Sequence, residues 1–121
     1  IRHWLHVEDT INSILHLLSN DFSKGVYNIG SGEYFDNLYV SKKILNALDL
    51  DLDRISFVKD RPGHDFRYAI KKNKIKKELK WKAKIDFANG LKKTIEWYLN
   101  NKPFLNKISK KNYEKRLGLN L

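Results

Sequence analysis

Two arginines, a histidine and two aspartates crowd around a Pro–Gly turn in the stretch Lys59-Asp60-Arg61-Pro62-Gly63-His64-Asp65-Phe66-Arg67-Tyr68. Proline fixes one backbone angle and glycine permits the unusual next one, so the turn holds its flanking side chains in a set geometry. Arginine offers a planar fork of donors that suits phosphate oxygens. Arg61 and His64 on one rigid turn could therefore hold a phosphorylated or polar small molecule. The alternative is a surface loop whose charges only solvate it.

Other residues invite chemistry less strongly. Arg2 lies in the aromatic-rich opening Ile1-Arg2-His3-Trp4-Leu5-His6-Val7. There it can clamp a phosphate or lay its stem over apolar surface. His3 and His6 are spaced by three, but with no third ligand nearby they make a poor metal pair, and no metal is expected. His16 sits among Leu15, Leu17 and Leu18 and reads as structural. Val26-Tyr27-Asn28-Ile29-Gly30-Ser31-Gly32 resembles a strand opening onto a glycine turn. No helix starts directly after the glycines, so a tight strand end is favoured over a phosphate loop. Asn37 suits the N-cap of the next helix, where its amide would lie beside free backbone donors, and simple capping is the plainer reading. Tyr-x-x-x-Lys occurs at Tyr39/Lys43, Tyr68/Lys72 and Tyr98/Lys102. None comes after a strand bearing a Ser or Thr partner, so none is assigned a catalytic role.

These residues need elements to position them. Helical spacing runs from Glu8 to Asn20, from about Asn37 or Leu38 to Leu48, from Lys72 to Leu79 and from Asp86 to Leu99, where Phe87, Leu91, Ile95 and Tyr98 share a face. Short buried strands are expected at Val26–Ile29 and Ile55–Val58, with Tyr68–Ile70 extended. Pro103 is expected to act as a stop beyond the fourth helix, and 107–117 reads as a final basic helix. Alternating strands and helices argue for an α/β architecture.

With 121 residues the chain is at most one domain, and an apolar fraction of 41% supports a modest core. There is no cysteine, which excludes disulfides and thiolate metal sites. No apolar run is long enough to span a membrane and no secretory signal opens the sequence, so a cytoplasmic location is the default expectation. The absence of any methionine, and an opening as dense as a functional interior, suggest a piece of something larger. The net charge of +10 is almost all lysine, concentrated in residues 71–84 and in the basic tail 102–121. A free-standing module for RNA or another polyanion is the rival function, although lysine-rich usage throughout reads more simply as compositional bias.

Several blocks together are similar to dTDP-glucose 4,6-dehydratases, of the extended short-chain dehydrogenase/reductase group. They are Ile1-Arg2-x-Trp4-Leu5-x-Val7-Glu8-Asp9, Tyr27-Asn28-Ile29-Gly30, Asp60-Arg61-Pro62-Gly63-His64-Asp65-x-Arg67-Tyr68-Ala69-Ile70, Leu79-x-Trp81 and Gly90-Leu91-x-Lys93-Thr94-Ile95-Glu96-Trp97-Tyr98-Leu99. They stand in the family's order across residues 1 to about 100.

The resemblance implies the C-terminal, substrate-binding portion of a lyase of deoxysugar biosynthesis. That family uses bound NAD to oxidise C4 of dTDP-glucose, eliminates water across C5 and C6, and returns the hydride to C6. It further implies that Arg2 and Arg61 hold the nucleotide diphosphate, with Asn37, Asp60 and His64 completing the site. The NAD loop and the catalytic residues would belong to an N-terminal half absent from this sequence, and the full enzyme would be a homodimer. The chain alone is then expected to be inactive, to expose apolar surface, and to order residues 1–30 poorly without that half. Two departures stand out: His3 replaces the usual aspartate, and the loop from Ser31 to Asp36 differs. Thymine-over-uracil preference is left open by them, and the lysine-rich last twenty residues match poorly.

Overall fold

The computed structural model describes residues 1–21, 24–60 and 62–108. Helix dominates. The elements in order are strand β1 (Arg2–His3), helix α1 (Val7–Leu18), strand β2 (Tyr34–Phe35), helix α2 (Asn37–Ala47), a single 3-10 turn (Leu52–Arg54), and helices α3 (Asn73–Leu79), α4 (Phe87–Asn100) and α5 (Lys102–Lys107). The sheet is one antiparallel pair, β1 with β2, in the register Arg2 opposite Phe35 and His3 opposite Tyr34.

Side chains set the helix starts. Asp36 accepts the Tyr39 N–H at 2.6 Å and caps α2. Asp86 accepts the Asn89 N–H at 2.8 Å and caps α4. The His6 ring accepts the Glu8 N–H at the head of α1. Each satisfies a donor that a helix start leaves without an internal partner. The cap of α2 is thus Asp36 and not Asn37, because the carboxylate one residue earlier reaches the Tyr39 N–H and Asn37 is already helical.

Two packed clusters hold the helices. Ile75, Leu79 and Trp81 are buried, with Leu17, Tyr27, Ile29 and Ala83 packed against them. A second, aromatic cluster joins Trp4, Phe35, Tyr39 and Phe87, with ring centroids of Phe35 and Phe87 4.4 Å apart. The Trp4 indole N–H donates to the Phe35 carbonyl at 3.1 Å, fixing β1 to β2 from the side. Asp9, only 1% exposed, makes a separate tie. Its carboxylate accepts the Lys84 N–H and, at 2.9 Å, the Ile85 N–H. A buried carboxylate is tolerable because it is supplied with donors in this way. It joins the first turn of α1 to the segment leading into α4.

Two expectations need correction, and a third falls almost wholly outside the described residues. Val26–Ile29 and Ile55–Val58 are not strands but irregular segments, with Val26 81% and Phe57 82% exposed. Their apolar, β-branched composition favours extension, yet a strand forms only against a partner, and none pairs with them among the described residues. Pro103 does not stop the chain. It occupies the first turn of α5, where a missing N–H costs nothing. The expected helix at 107–117 does not continue from α5, since Ile108 has extended angles (ψ 120°), and residues 109–121 lie outside the described residues.

Candidate functional site: a histidine relay onto Arg2

Arg2 is half-buried on β1, and its guanidinium gathers the Pro–Gly loop around itself. One terminal nitrogen meets His64 Nε2 and donates to the Asp65 carbonyl at 3.1 Å, while the other donates to the Ile1 carbonyl at 2.9 Å. The guanidinium also stacks 4.6 Å from the Tyr68 ring centroid. The Tyr68 hydroxyl in turn donates to the Asp65 carboxylate.

Elementary donor counting fixes the histidine tautomer. A guanidinium can only donate, so His64 Nε2 must accept, and the ring proton sits on Nδ1. That N–H points at Asp60 Oδ1, 2.9 Å away. The chain Asp60–His64–Arg2 is therefore a directed relay in which the carboxylate orients the ring and the ring orients the arginine. Backbone bonds brace it. Ile1 N donates to the Phe66 carbonyl at 2.7 Å and Tyr68 N donates to the Ile1 carbonyl at 3.2 Å. The turn itself behaves as expected, with Gly63 at φ +69°, a left-handed conformation that glycine adopts freely.

Of the candidate residues, the structure brings together Arg2, Asp60 and His64. Arg61 lies outside the described residues. Asn37 begins α2, two residues beyond Phe35, the ladder partner of Arg2; it is exposed, and no hydrogen bond joins it to the trio among the described residues. Sequence reasoning passed over Tyr68 and Asp65 as site residues, though an aromatic four residues past His64 was the available signal. It also passed over His3, whose ring nitrogen accepts the Gly32 N–H at 2.6 Å. His3 and His6 are thus committed to separate backbone donors rather than to each other. His16 is structural as read, its Nε2 lying 2.8 Å from the Leu79 carbonyl.

The Gly30–Gly32 turn offers no cradle for a dinucleotide. The His3 ring fills it so closely that a Cβ on Gly30 would lie 1.9 Å from the ring, and the next helix starts only at Asn37. These residues do not fit NAD. A groove of about 500 Å³ lined by Leu5, Val7, Lys93, Trp97 and Tyr98, among others, contains none of the relay residues.

The chain belongs to a class of nucleotide-sugar dehydratases: the sequence model of GDP-mannose 4,6 dehydratase matches residues 1–94, which shows the family. Within it, the similarity runs to dTDP-glucose 4,6-dehydratases. The chain is 41% identical to that of Streptomyces niveus over 101 residues, 84% of this chain and 30% of the relative. It is 40% identical to one from Escherichia coli over 131 residues, 98% of this chain and 36% of the relative. The crystal structure of dTDP-glucose 4,6-dehydratase from Bacillus anthracis in complex with NAD superposes with a TM-score of 0.78 at 38% identity, covering 85% of this chain and 32% of that one. The chain thus spans about a third of the length of the relatives it matches.

Proposed function

We propose that the chain is the nucleotide-sugar-binding portion of a dTDP-glucose 4,6-dehydratase, which converts dTDP-glucose to its 4-keto-6-deoxy product and water with NAD held by polypeptide outside this sequence. The observation that supports this reading best is the relay itself. Five N–H donors radiate from a guanidinium, and His64, Asp65 and Ile1 take three of them, which holds the plane still and leaves the Nε–H and one terminal N–H outside these three bonds. A fixed cation with single donors to spare suits a phosphate oxygen, and a preorganised clamp avoids the ordering cost of a mobile one. Arg61, next to Asp60 in the sequence, would add a second cation, and Asn37 would approach from the start of α2. The role is binding and orientation, with the bond-breaking groups contributed by the rest of the protein, a homodimer in this reading.

Calorimetric titration of the protein with dTDP and with UDP tests the proposal. Saturable binding that favours dTDP, persists at moderate salt and weakens about tenfold or more in Arg2→Ala is the expected result, the loss of a charge-assisted contact. Binding that collapses steeply with salt and ignores the base would instead favour the polyanion reading.

A further inference from the structure

His3 does more than fill space. A backbone N–H can only donate, so the 2.6 Å bond from Gly32 N requires a lone pair on His3 Nε2 and places the neutral ring's proton on Nδ1. The ring stacks on Tyr34 at 4.6 Å with 16° between planes. Gly30 is buried against its edge, leaving no room for a side chain there. The same turn is held at two further points. Ser31 Oγ donates to the Trp4 carbonyl at 2.5 Å, and Lys72 Nζ donates to the Ser31 carbonyl at 2.5 Å.

We propose that His3 is a positioning residue: its neutral ring clamps the Gly30–Gly32 turn onto β1, keeps the two-residue β1–β2 ladder in register, and so holds Arg2 in place for the nucleotide diphosphate, while protonation releases the clamp. The last part of this chain of effects rests on the nucleotide-binding reading above. The ladder has only two residue pairs, His3 opposite Tyr34 and Arg2 opposite Phe35, so whatever holds His3 holds Arg2.

The surroundings oppose a charge on the ring. Lys72 approaches from the segment before α3, and the Arg67 guanidinium stacks on Tyr34 at 5.5 Å. The Glu33 carboxylate, next to Tyr34 in the chain, is taken by the Phe87 N–H at 2.7 Å. No ion pair joins His3 to a carboxylate among the described residues. Burial first and Lys72 second push its pKa below the usual 6.5. An aspartate at this position could accept the same N–H but would not titrate near neutrality; a histidine makes the clamp sensitive to proton concentration.

His64 also carries a ring beside Arg2, so the pH dependence of affinity alone cannot separate the two histidines. The test therefore reads the clamp directly, by NMR of the protein labelled with 15N-glycine and 15N-histidine, alongside dTDP calorimetry at neutral pH. The Gly32 amide resonance should move with the His3 ring titration in the native protein and stay still over the same range in His3→Gln, whose amide oxygen reaches the place of Nε2 without titrating. His3→Phe keeps the stack on Tyr34 and lacks the acceptor. It should shift the Gly32 amide at every pH and weaken dTDP about fivefold, one hydrogen bond's worth, while His3→Gln binds nearly as the native protein does. A Gly32 amide indifferent to both pH and His3→Phe overturns the clamp. Unchanged dTDP affinity in His3→Phe, with Arg2→Ala weakened, overturns its positioning role. Should Gly32 track His3 while Arg2→Ala binds dTDP as before, the nucleotide reading falls and the clamp on the turn stands.

Discussion

The junction around Asp9 and the segments Val26–Ile29 and Ile55–Val58 are opposite in state. At the junction a single carboxylate, 1% exposed, collects two backbone N–H groups from residues 75 and 76 positions away. In the two segments, Val26, Phe57 and Val58 stand in solvent, Val26 and Phe57 each more than 80% exposed, although Tyr27 and Ile29 pack on the Ile75 cluster. Val7, Ile11, Ile14, Leu15 and Leu18 of α1 are exposed likewise. The difference lies in where the partners are. Everything that closes the junction is within residues 1–108, whereas a strand and an apolar helix face need a second surface. The chain spans about a third of its relatives' length, and in the reading proposed above that second surface belongs to polypeptide outside this sequence.

Substitutions test this contrast at both ends. The largest effect is expected at Asp9→Ala, which strands two buried N–H donors. A loss of about 3 kcal/mol in urea unfolding is predicted, and a loss below about 1 kcal/mol would mean that water reaches them. Next comes Gly30→Ala. Its Cβ meets a ring that cannot retreat without giving up the Gly32 bond, so a loss of about 1–2 kcal/mol is expected in the same measurement. Phe57→Ser should change the stability of this chain by less than about 0.5 kcal/mol, as at other exposed positions. A much larger loss in the protein of full natural length than in residues 1–121 would place a partner over Phe57, and equal small losses in both would remove it.

Acid adds a smaller, graded effect. The folded protein holds the His3 pKa below 6.5, so the unfolded chain binds the proton more readily. The contribution of neutral His3 is therefore complete above pH 6.5 and is lost as pH falls through its folded value. Asp86 acts in the same direction at lower pH. The Asn89 backbone N–H, then its side chain, hold that carboxyl below 3.8, so the cap weakens only as pH falls through its folded value. Unfolding profiles at stepped pH should show the first decline, and His3→Gln should remove it.

The sequence spoke clearly where a segment carries its own reasons. The apolar spacing of α1, α2 and α4 and the turn-forming Pro62-Gly63 needed no distant information, and the boundaries came within a few residues. It misled where structure depends on a partner. Val26–Ile29 and Ile55–Val58 have strand composition and no strand opposite them among the described residues. At the site, the motif around Asp60 and His64 was legible because its residues are contiguous. That Arg2 would share a site with His64, 62 positions away, came from the family resemblance and not from spacing. The role of His3 was hidden because it depends on a contact with Gly32, which no local pattern announces.

The central claim is that Asp60, His64 and Arg2 act as one unit in holding a nucleotide diphosphate. A double-mutant cycle on Arg2→Ala and His64→Ala, read through dTDP affinity in the protein, addresses it most directly. If the histidine works by orienting the arginine, the double variant should bind scarcely worse than Arg2→Ala alone, with a coupling of about 1 kcal/mol or more. Losses that simply add, or an Arg2→Ala variant that binds dTDP as the native protein does, would contradict it.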